Sequence, residues 1–577
     1  LNIEKDLASL YLQSTEKAEI TKGFQYYHSV DSVIANLRFA FLNFNDRLRL
    51  SDSINYIYDN AITEAVKLSE KDSDFLKEVY FFSEKSKAFS LYAHLKINEI
   101  EQLGSLPQGL VQRQHELENQ LSYYGNQQAL ATTNNDQRSI ARYSEKIQKS
   151  NEEREQLAKS LRSSNIDKYE LIHNARIVNI KDVQRKMSDD QVILSYNMGK
   201  ESTDVICILP DNAYVKSIGK TAELEERLHA YIALLTIPDL SEEQLQEYKE
   251  QSFELYKMLI GKVSLEKTVK DILIIPDNQL YFLPFESLIS TAQGTAFGEL
   301  DYLIKTFEIR YTQSLTMLEF LEQQQQRNDT TALNVLALAP NFDDGSAMPL
   351  LSSVERSAVG AIPNTQKEVN AISNYFETKI LSQEQATERQ FKDLYAKYQI
   401  IHLATHGLVN DQAPLESKIL FHPIVNDSTE DGKLHSREIL NLELDAEMVV
   451  LSACNTGVGE INRGEGAVSL ASSFFYSGAR SVVMSQWPAN DLSTSRIMGS
   501  FYQFLNEGYT KSAALRQAKL DFLQNEKAVL QHPYYWSQFV IHGKNDALRS
   551  DSDYWKWGIA IISLVFLVGI VLFLKRR

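Results

Sequence analysis

The chain contains two apolar runs that end in reactive side chains: Ile-Ile-His-Leu-Ala-Thr-His-Gly at 400–407 and Met-Val-Val-Leu-Ser-Ala-Cys-Asn-Thr-Gly at 448–457. Each run is aliphatic and stops at a small residue and a glycine, which predicts a buried strand of a parallel sheet that leads into a turn. Ligands and catalytic groups of open α/β sheets lie beyond the carboxyl ends of such strands. His406 and Cys454 therefore occupy positions where a site is expected, about 50 residues apart in the chain.

Length, composition and charge limit the types of protein that this chain can be. A chain of 577 residues is too long for one core and predicts roughly three or four domains. Apolar residues make up 43% of it and charged residues 23%, which is typical of a globular protein. The net charge of −17 argues against a nucleic-acid partner. Two cysteines, Cys207 and Cys454, are too few for a disulfide framework or a zinc knuckle, so each has either a packing role or a catalytic one.

The period of the apolar pattern divides the chain into four expected segments. Residues 1–165 are helical, 166–325 form an α/β half without a reactive strand end, 326–545 form a second α/β unit with His406 and Cys454, and 546–577 include a transmembrane helix. Strands alternate with helices in both α/β units, which favours a parallel-rich sheet covered by helices on both faces. The expected strands are 192–196, 205–209 and 271–276 in the first unit and 335–338, 400–404, 448–452, 481–485 and 536–541 in the second. Cys207 lies inside an apolar run and is interpreted as a small core residue.

The helical front end offers two interpretations. Residues 7–11, Leu-Ala-Ser-Leu-Tyr, followed by Gly23, Tyr26 and Tyr27, loosely resemble a tetratricopeptide helix pair, and residues 83–89 could open a further helix of this kind. An all-helical domain without a peptide-binding role fits the same residues. A long polar helical hairpin is expected at 106–164.

The C-terminal residues predict a membrane helix. Residues 557–574 are uncharged over 18 positions, follow Tyr554 and Trp555, and precede Lys575-Arg576-Arg577, which matches the length and the interface anchors of a membrane span. The alternative is a buried core helix. Three basic residues precede the helix and three follow it, so the count of Lys and Arg leaves both orientations open. The basic cluster that adjoins the helix favours a cytoplasmic tail and an exported, periplasmic body in a single-pass membrane protein. The chain begins at Leu1 rather than Met, so its natural beginning is expected to be missing.

The two strand ends predict nucleophilic chemistry. A thiol reacts as the thiolate, and a neighbouring imidazole lowers its pKa and later protonates the leaving amine. Gly407 has no Cβ to obstruct the approach of a substrate carbonyl. The main-chain N–H groups of Gly407 and Cys454 are candidate donors to an oxyanion, each worth about 3 kcal/mol.

These residues also admit structural interpretations. A single buried cysteine or histidine is usually a core residue. His402 and His406 could suggest a metal site, but the sequence offers no third and fourth ligand, and no cofactor is implied. Glycines at 457, 459, 464 and 466 resemble a phosphate loop, but Asn462 stands at the third glycine position of that motif.

The second α/β unit resembles the CHAT domain, a bacterial caspase-like family found behind tetratricopeptide repeats, and it does so over six pieces in the right order. They are His-Leu-Ala-Thr-His-Gly at 402–407, Leu-Ser-Ala-Cys-Asn-Thr-Gly at 451–457, Arg-Gly-Glu-Gly at 463–466, Ser-Gly-Ala-Arg-Ser-Val-Val at 477–483, Trp-Pro-Ala-Asn-Asp at 487–491, and His-Pro-Tyr-Tyr-Trp-Ser-Gln-Phe at 532–539. The resemblance extends loosely back to residues 275–288, which are similar to the family's non-catalytic half.

The resemblance implies a cysteine endopeptidase with His406 as base and acid and Cys454 as nucleophile. In similar enzymes the strand after the cysteine lines the specificity pocket, which would place Trp487 and Asp491 there and favour a basic side chain in the substrate. A core aromatic at Trp487 and a helix N-cap at Asp491 are the structural alternatives.

The sequence-based hypothesis is therefore a membrane-anchored, CHAT-type caspase-like peptidase. Its substrate is a protein or peptide, its helical front end binds a protein partner that recruits or gates it, and residues 557–574 contact the bilayer. The rival is an idle CHAT fold that serves as a membrane-tethered scaffold. Acyl transfer to an acceptor other than water is a third possibility.

Overall fold

The computed structural model describes residues 2–40, 44–102, 108–133, 136–164, 177–263, 265–324, 333–342, 362–410, 413–424, 430–453 and 456–548. These ranges include His406 and the ends of both apolar runs. Cys454 and Asn455 lie outside them.

Strands are present throughout the α/β part of the chain. They are β1 (Gln191–Met198), β2 (Ser202–Ile208), β3 (Ala213–Lys220), β4 (Asp271–Ile275), β5 (Glu308–Tyr311), β6 (Asn334–Ala339), β7 (Glu377–Ser382), β8 (Ile400–Ala404), β9 (Gly407–Leu408), β10 (Lys418–Leu420), β11 (Lys433–His435), β12 (Met448–Ser452), β13 (Gly459–Asn462), β14 (Gly466–Ser469), β15 (Ser481–Ser485) and β16 (Phe539–Gly543). Every residue of β8, β12 and β15 is buried, as the near-continuous aliphatic runs predict for parallel strands covered on both faces.

One sheet of 11 strands passes through both expected α/β units, in the order β3-β2-β1-β4-β5-β16-β15-β12-β8-β6-β7. Neighbours from β1 through β4 and β5 to β16 are parallel, and so are neighbours from β15 through β12, β8 and β6 to β7. The two halves meet at β15 and β16, which are antiparallel. The carboxyl ends of β8, β12 and β15 therefore share one edge of the sheet with the amino end of β16.

Helices form the front end and cover the sheet. They are α1 (Asn2–Tyr11), α2 (Lys17–Ala40), α3 (Phe44–Ser69), α4 (Leu76–Lys85), α5 (Phe89–Gln102), α6 (Gln108–Thr133), α7 (Gln137–Ser164), α8 (Ile180–Gln184), α9 (Thr221–Leu235), α10 (Glu242–Leu259), α11 (Leu315–Gln323), α12 (Thr365–Ile372), α13 (Glu388–Leu394), α14 (Ser436–Ile439), α15 (Leu470–Tyr476), α16 (Asp491–Asn506), α17 (Lys511–Asn525) and α18 (Pro533–Trp536). The expected polar hairpin corresponds to α6 and α7, which are linked by Arg113 and Glu153 at 2.6 Å.

The helices α1 to α4 pack directly on the sheet. Their buried residues, among them Phe24, Tyr58 and Phe82, form one hydrophobic core with Ile193 of β1 and Leu273 of β4. Within the pair α1 and α2, a Cβ on Gly23 would lie 2.9 Å from the Leu12 side chain, so glycine permits the close approach of the two helices. The front end thus covers one face of the sheet at β1, β2 and β4.

The membrane part of the predicted fold is wrong. None of the helices formed by the described residues is long and apolar enough to cross a membrane. The long helices carry charges along their length, as in α7, whereas a span needs about 20 predominantly apolar residues. This finding overturns the prediction of a single-pass protein with an exported body. Residues 557–574, to which that helix was assigned, lie outside the described residues.

One strand boundary also differs from the sequence-based expectation. A strand was expected at 536–541, but α18 ends at Trp536 and β16 begins at Phe539. His532 accepts a hydrogen bond at 2.9 Å from the N–H of Tyr534, and Pro533 opens the short helix, so the chain turns here before it becomes extended.

Candidate active site

The register of β8 and β12 aligns the two segments that were predicted to be reactive. His402 pairs with Val450, and Ala404 pairs with Ser452, the last residue of each strand. His406 lies two residues beyond β8, and Cys454 is two residues beyond β12 in sequence. Because the strands are parallel neighbours, both segments leave the same edge of the sheet, where catalytic groups of α/β proteins are found.

His406 is held tightly by its surroundings. It is 5% exposed, and its ring lies against that of Phe342 with a centroid distance of 5.1 Å. Its carbonyl oxygen accepts a hydrogen bond of 3.0 Å from the N–H of Leu420, and the hydroxyl of Thr405 donates to the Leu420 carbonyl at 2.6 Å. These contacts fix the backbone on both sides of the imidazole.

Gly407, the predicted oxyanion donor, begins β9. It pairs with Ile419 of β10 in the small antiparallel sheet β11-β10-β9. This small sheet therefore fixes the chain directly after His406.

The segment that follows β12 is tied to β15 through Ser485, a residue that the sequence did not single out. Its hydroxyl donates to the Ala453 carbonyl and accepts from the Thr456 N–H at 3.3 Å. Its main-chain N–H donates to the Thr456 hydroxyl at 3.0 Å, and its carbonyl accepts from the Gly457 N–H at 2.8 Å. Ser485 thus bonds to residues on both sides of positions 454 and 455. In sequence it is the last residue of an aliphatic strand, and only the fold reveals its role.

Trp487 also follows the carboxyl end of β15, but it belongs to the main hydrophobic core. It is 2% exposed, and its indole N–H donates to the carbonyl of Tyr534 at 3.0 Å. These surroundings agree with the alternative interpretation of Trp487 as a core aromatic.

Asp491 is the first residue of α16, and the N-cap is Asn490, whose side chain accepts from the Ser493 N–H at 3.1 Å. Asn490, and not Asp491, therefore caps this helix. Its carboxylate instead accepts from the N–H and the side-chain amide of Asn364 at 3.0 and 2.6 Å. Both partners are neutral, and no ion-pair partner of Asp491 is found within the described part of the chain.

His402 is engaged in the interior and is not arranged as a metal ligand. It is fully buried on β8, with Nε2 at 2.8 Å from Glu368 Oε1 and Nδ1 at 3.1 Å from the Tyr502 hydroxyl. Both ring nitrogens are therefore used within the core.

Among the described residues, one group of side chains could hold a metal ion: Glu388, Glu430 and Glu438. The ammonium of Lys392 lies among them, at 2.7, 2.6 and 3.0 Å from the three carboxylates. Burial alone would lower the pKa of Lys392, but the carboxylates, Glu388 first, raise it above its ordinary value. A cation of the protein itself thus fills this position.

Several buried polar atoms at the candidate edge have no partner among the described residues. Within the described ranges, the Ser452 hydroxyl, the Gln486 amide oxygen and both amide atoms of Gln538 are buried without a hydrogen-bond partner. Ser452 is the last residue of β12, Gln486 follows β15, and Gln538 precedes β16. The N–H of Gln486 donates to the carbonyl of Gln538 at 2.9 Å. Buried unpaired groups are rare in folded proteins and concentrate at functional sites.

A family model of the CHAT domain matches residues 249–544, which is more than half of the chain. The chain belongs to the CHAT domain family. The predicted family, a CHAT domain behind a tetratricopeptide-like helical region, is confirmed, as is the α/β fold with helices at its front end.

Comparisons with individual proteins accompany this match. Tetratricopeptide repeat protein 28 of Homo sapiens is 25% identical over 318 residues, which is 49% of this chain and 12% of that protein. The CHAT chain thus corresponds to a small part of this relative. The solved structure of the Arg-specific cysteine proteinase gingipain R aligns with 53% of this chain and 68% of its own, at 11% identity and a TM-score of 0.33. The separase–securin complex of Saccharomyces cerevisiae aligns with 94% of this chain and 48% of its own, at 10% identity and a TM-score of 0.39.

Proposed function

We propose that this CHAT protein is a caspase-like cysteine endopeptidase that uses His406 and Cys454. The observation that carries the proposal is the register of β8 and β12, which directs the segments after both strands to one edge of the sheet. The burial of His406 and its fixed backbone add to it, because a general base must be held in place to be effective. The catalytic unit is proposed to be residues 326–545.

The proposed reaction proceeds through an acyl-enzyme. The Cys454 thiolate attacks the carbonyl carbon of the peptide, and the N–H groups of Gly407 and Cys454 stabilise the oxyanion. The imidazolium of His406 gives its proton to the leaving amine as the C–N bond breaks. Water, deprotonated by His406, then attacks the thioester, which releases the carboxylic acid and restores the thiol.

The proposal includes a substrate preference and a partner. Asp491 has no ion-pair partner in the described part of the chain, and its carboxylate, which follows β15 in the chain, would favour a basic side chain in the substrate, whereas Trp487 would support the pocket from the core. The helical front end is proposed to bind a protein that recruits or controls the peptidase, since it packs directly on the sheet that leads to the site.

The test is the rate at which Cys454 is alkylated as a function of pH, in the wild type and in His406→Ala. Cys207 is the internal control, because it is fully buried and burial raises the pKa of its thiol to about 11. We expect Cys454 to react with an apparent pKa below the roughly 8.5 of a free thiol, and to lose this advantage without His406.

Peptide cleavage is measured alongside, with Cys454→Ala as the inactive variant. Cleavage that persists without the thiol would overturn the proposal. Slow alkylation of Cys454 that does not depend on His406 would instead favour the idle CHAT fold that serves as a scaffold.

A further inference from the structure

The Arg-Gly-Glu-Gly motif at 463–466, which the proposed mechanism does not use, lies at the contact between the helical front end and the α/β body. It forms the turn between β13 and β14, a two-stranded hairpin that begins at Gly459, a few residues after Cys454 in the chain. In this turn Gly464 has φ +95°, a conformation that favours glycine. Its carbonyl accepts from the N–H of Ala88, just before α5, at 2.7 Å.

The carboxylate of Glu465 is the centre of this contact. Its Oε1 accepts from the hydroxyl of Ser51 on α3 at 2.9 Å and from the N–H of Ser90 in the first turn of α5 at 3.0 Å. A negative charge at this position is favoured by the helix dipole of α5. Its Oε2 accepts from the hydroxyl of Tyr476, the last residue of α15, at 3.3 Å.

Both serines that bond to Glu465 are buried, each 1% exposed, and Tyr476 is 4% exposed. A second bond supports the contact, from the side-chain amide of Asn462 to the carbonyl of Leu48 at 3.1 Å. The partners are separated by several hundred residues in sequence, so the contact joins two parts of the protein and does not belong to one local turn.

A continuous series of bonds leads from Glu465 to the segment after β12. Strand β14 ends at Ser469, which caps α15 by accepting from the N–H of Ser472 at 3.2 Å. The N–H of Ala471, in the first turn of α15, donates to the carbonyl of Thr456 at 3.0 Å. Thr456 is itself bonded to Ser485, as described above.

The geometry points to Glu465 as a positioning residue for the proposed reaction: it fastens the β13–β14 hairpin to α3 and α5 and so fixes the segment that follows β12. The inference rests on the proposed function. It adds that the reactivity of the thiol two residues before Thr456 depends on the docking of the helical front end against Glu465.

The test compares Cys454 alkylation from about pH 5 to pH 10 in the full chain, with each thiol followed by mass spectrometry. Glu465→Ala removes the acceptor for Ser51, Ser90 and Tyr476, and we expect the rate constant at Cys454 to fall about tenfold. Glu465→Gln keeps an oxygen acceptor for both serines and should retain the wild-type rate within about twofold. Glu460→Ala, an exposed glutamate on the same hairpin, is the matched control and should have no effect.

Ser51→Ala examines the same bond from the helical side and is a milder change. We expect a smaller loss of rate, and the double variant with Glu465→Ala should react no more slowly than Glu465→Ala alone, since both remove one contact. An unchanged rate at Cys454 in Glu465→Ala would overturn the inference. Faster alkylation of Cys454 and the buried Cys207 together would also overturn it, because that outcome indicates general loosening.

The two proposals fail in different ways. A Cys454 rate that depends on Glu465 but not on His406, without peptide cleavage, refutes the peptidase and retains the positioning role. A Cys454 rate that depends on His406 but not on Glu465 refutes the positioning role and retains the peptidase.

Discussion

The imidazole of His402 and the carboxylate of Glu368 are joined at 2.8 Å in the fully buried interior, where β8 packs on α12. The other ring nitrogen lies 3.1 Å from the hydroxyl of Tyr502 on α16. One strand residue therefore links two helices to the strand that leads to His406. Within the described part of the chain the second oxygen of Glu368, Oε2, is buried without a hydrogen-bond partner, so this polar network is only partly satisfied and the loss of a further bond is costly.

Glu368→Ala should destabilise the protein by about 3 kcal/mol, because it leaves a His402 nitrogen buried without a partner. Urea unfolding measures the loss. The neighbouring Lys367→Ala, on the exposed side of the same helix, should stay within about 0.5 kcal/mol of the wild type. Equal effects of the two substitutions would show that the buried pair contributes nothing.

Two glycines provide a matched pair of alanine substitutions. Gly466 has φ +81°, and a Cβ there would lie 2.4 Å from the ring of Tyr281, so Gly466→Ala should cost about 3 kcal/mol. Gly499 lies within α16, where a Cβ would lie 3.8 Å from that of Ala371. Gly499→Ala should therefore be neutral or stabilise the protein by about 0.5 kcal/mol. Thermal unfolding of both variants measures these changes in stability. A Gly466→Ala protein as stable as the wild type would contradict the close packing of the hairpin on Tyr281.

Asp59→Asn should change how stability depends on pH. Burial, and then the nearby Asp277, raises the pKa of Asp59 from 3.8 to about 7. From about pH 4 to 7 the native carboxyl keeps a proton that the unfolded chain has released, so the free energy of unfolding falls as pH rises through this window. Asparagine does not titrate and avoids this cost.

At about pH 8 the Asp59→Asn variant should be more stable than the wild type by about 2 kcal/mol, roughly half the value for a fully buried group, because the side chain is partly exposed. At about pH 5 the difference should shrink by more than half. Urea unfolding at both values gives the comparison, and a difference that does not change with pH would refute the raised pKa.

Lys392→Met should expose the repulsion among the carboxylates that now surround the ammonium. The substitution leaves three carboxylates with oxygen atoms within 4.8 Å of one another, and the expected loss at about pH 8 is roughly 3 kcal/mol. Burial already raises the pKa of Glu388 above its ordinary value in the wild type. In the variant, folded-state pKa values above the unfolded ones make stability recover as pH falls.

The control for Lys392 is Lys397→Met, an exposed lysine just beyond α13, which should change stability by less than about 0.5 kcal/mol. Denaturant titrations at about pH 8 and pH 5 reveal both the loss and its recovery. A loss that is the same at both pH values would mean that packing of the lysine stem, not charge, is responsible.

Asp491→Asn should reduce cleavage of substrates with a basic residue at the scissile bond. We expect kcat/KM for an arginine peptide, relative to a leucine peptide, to fall about tenfold, the effect of losing about 1.4 kcal/mol of charge interaction. Glu507→Gln, at the far end of the same helix, should leave the ratio unchanged. An unchanged ratio in Asp491→Asn would remove Asp491 from the specificity pocket.

The sequence predicted the strands next to the candidate site closely. Apolar runs at 400–404 and 448–452 are β8 and β12 to the residue, because strands buried on both faces have unmistakably aliphatic sequences. β3 was missed since it has only one buried residue, Ile218, and lacks such a run. The core role assigned to Cys207 is confirmed by its complete burial.

Long-range features could not be inferred from local pattern. β16 lies beside β5 although more than 200 residues separate them, and this pairing merges two expected α/β units into one sheet. The bonds of Glu465 to Ser51 and Ser90, and of Ser485 around positions 454 and 455, likewise depend on tertiary structure alone. The motif at 463–466 is visible in the sequence, but the spacing of its residues does not encode their tertiary partners.

The shared hydrophobic core of α1–α4 and the sheet has a consequence for fragment complementation. Ile193, Ile206 and Leu273 on the sheet are covered by helices from the front end, and neither part can bury these surfaces alone. Expressed as separate polypeptides, residues 1–164 and 177–548 should each aggregate, yet co-expressed they should assemble into one particle. The peptide connection between the two fragments would then not be required for assembly, because the hydrophobic contact holds them together.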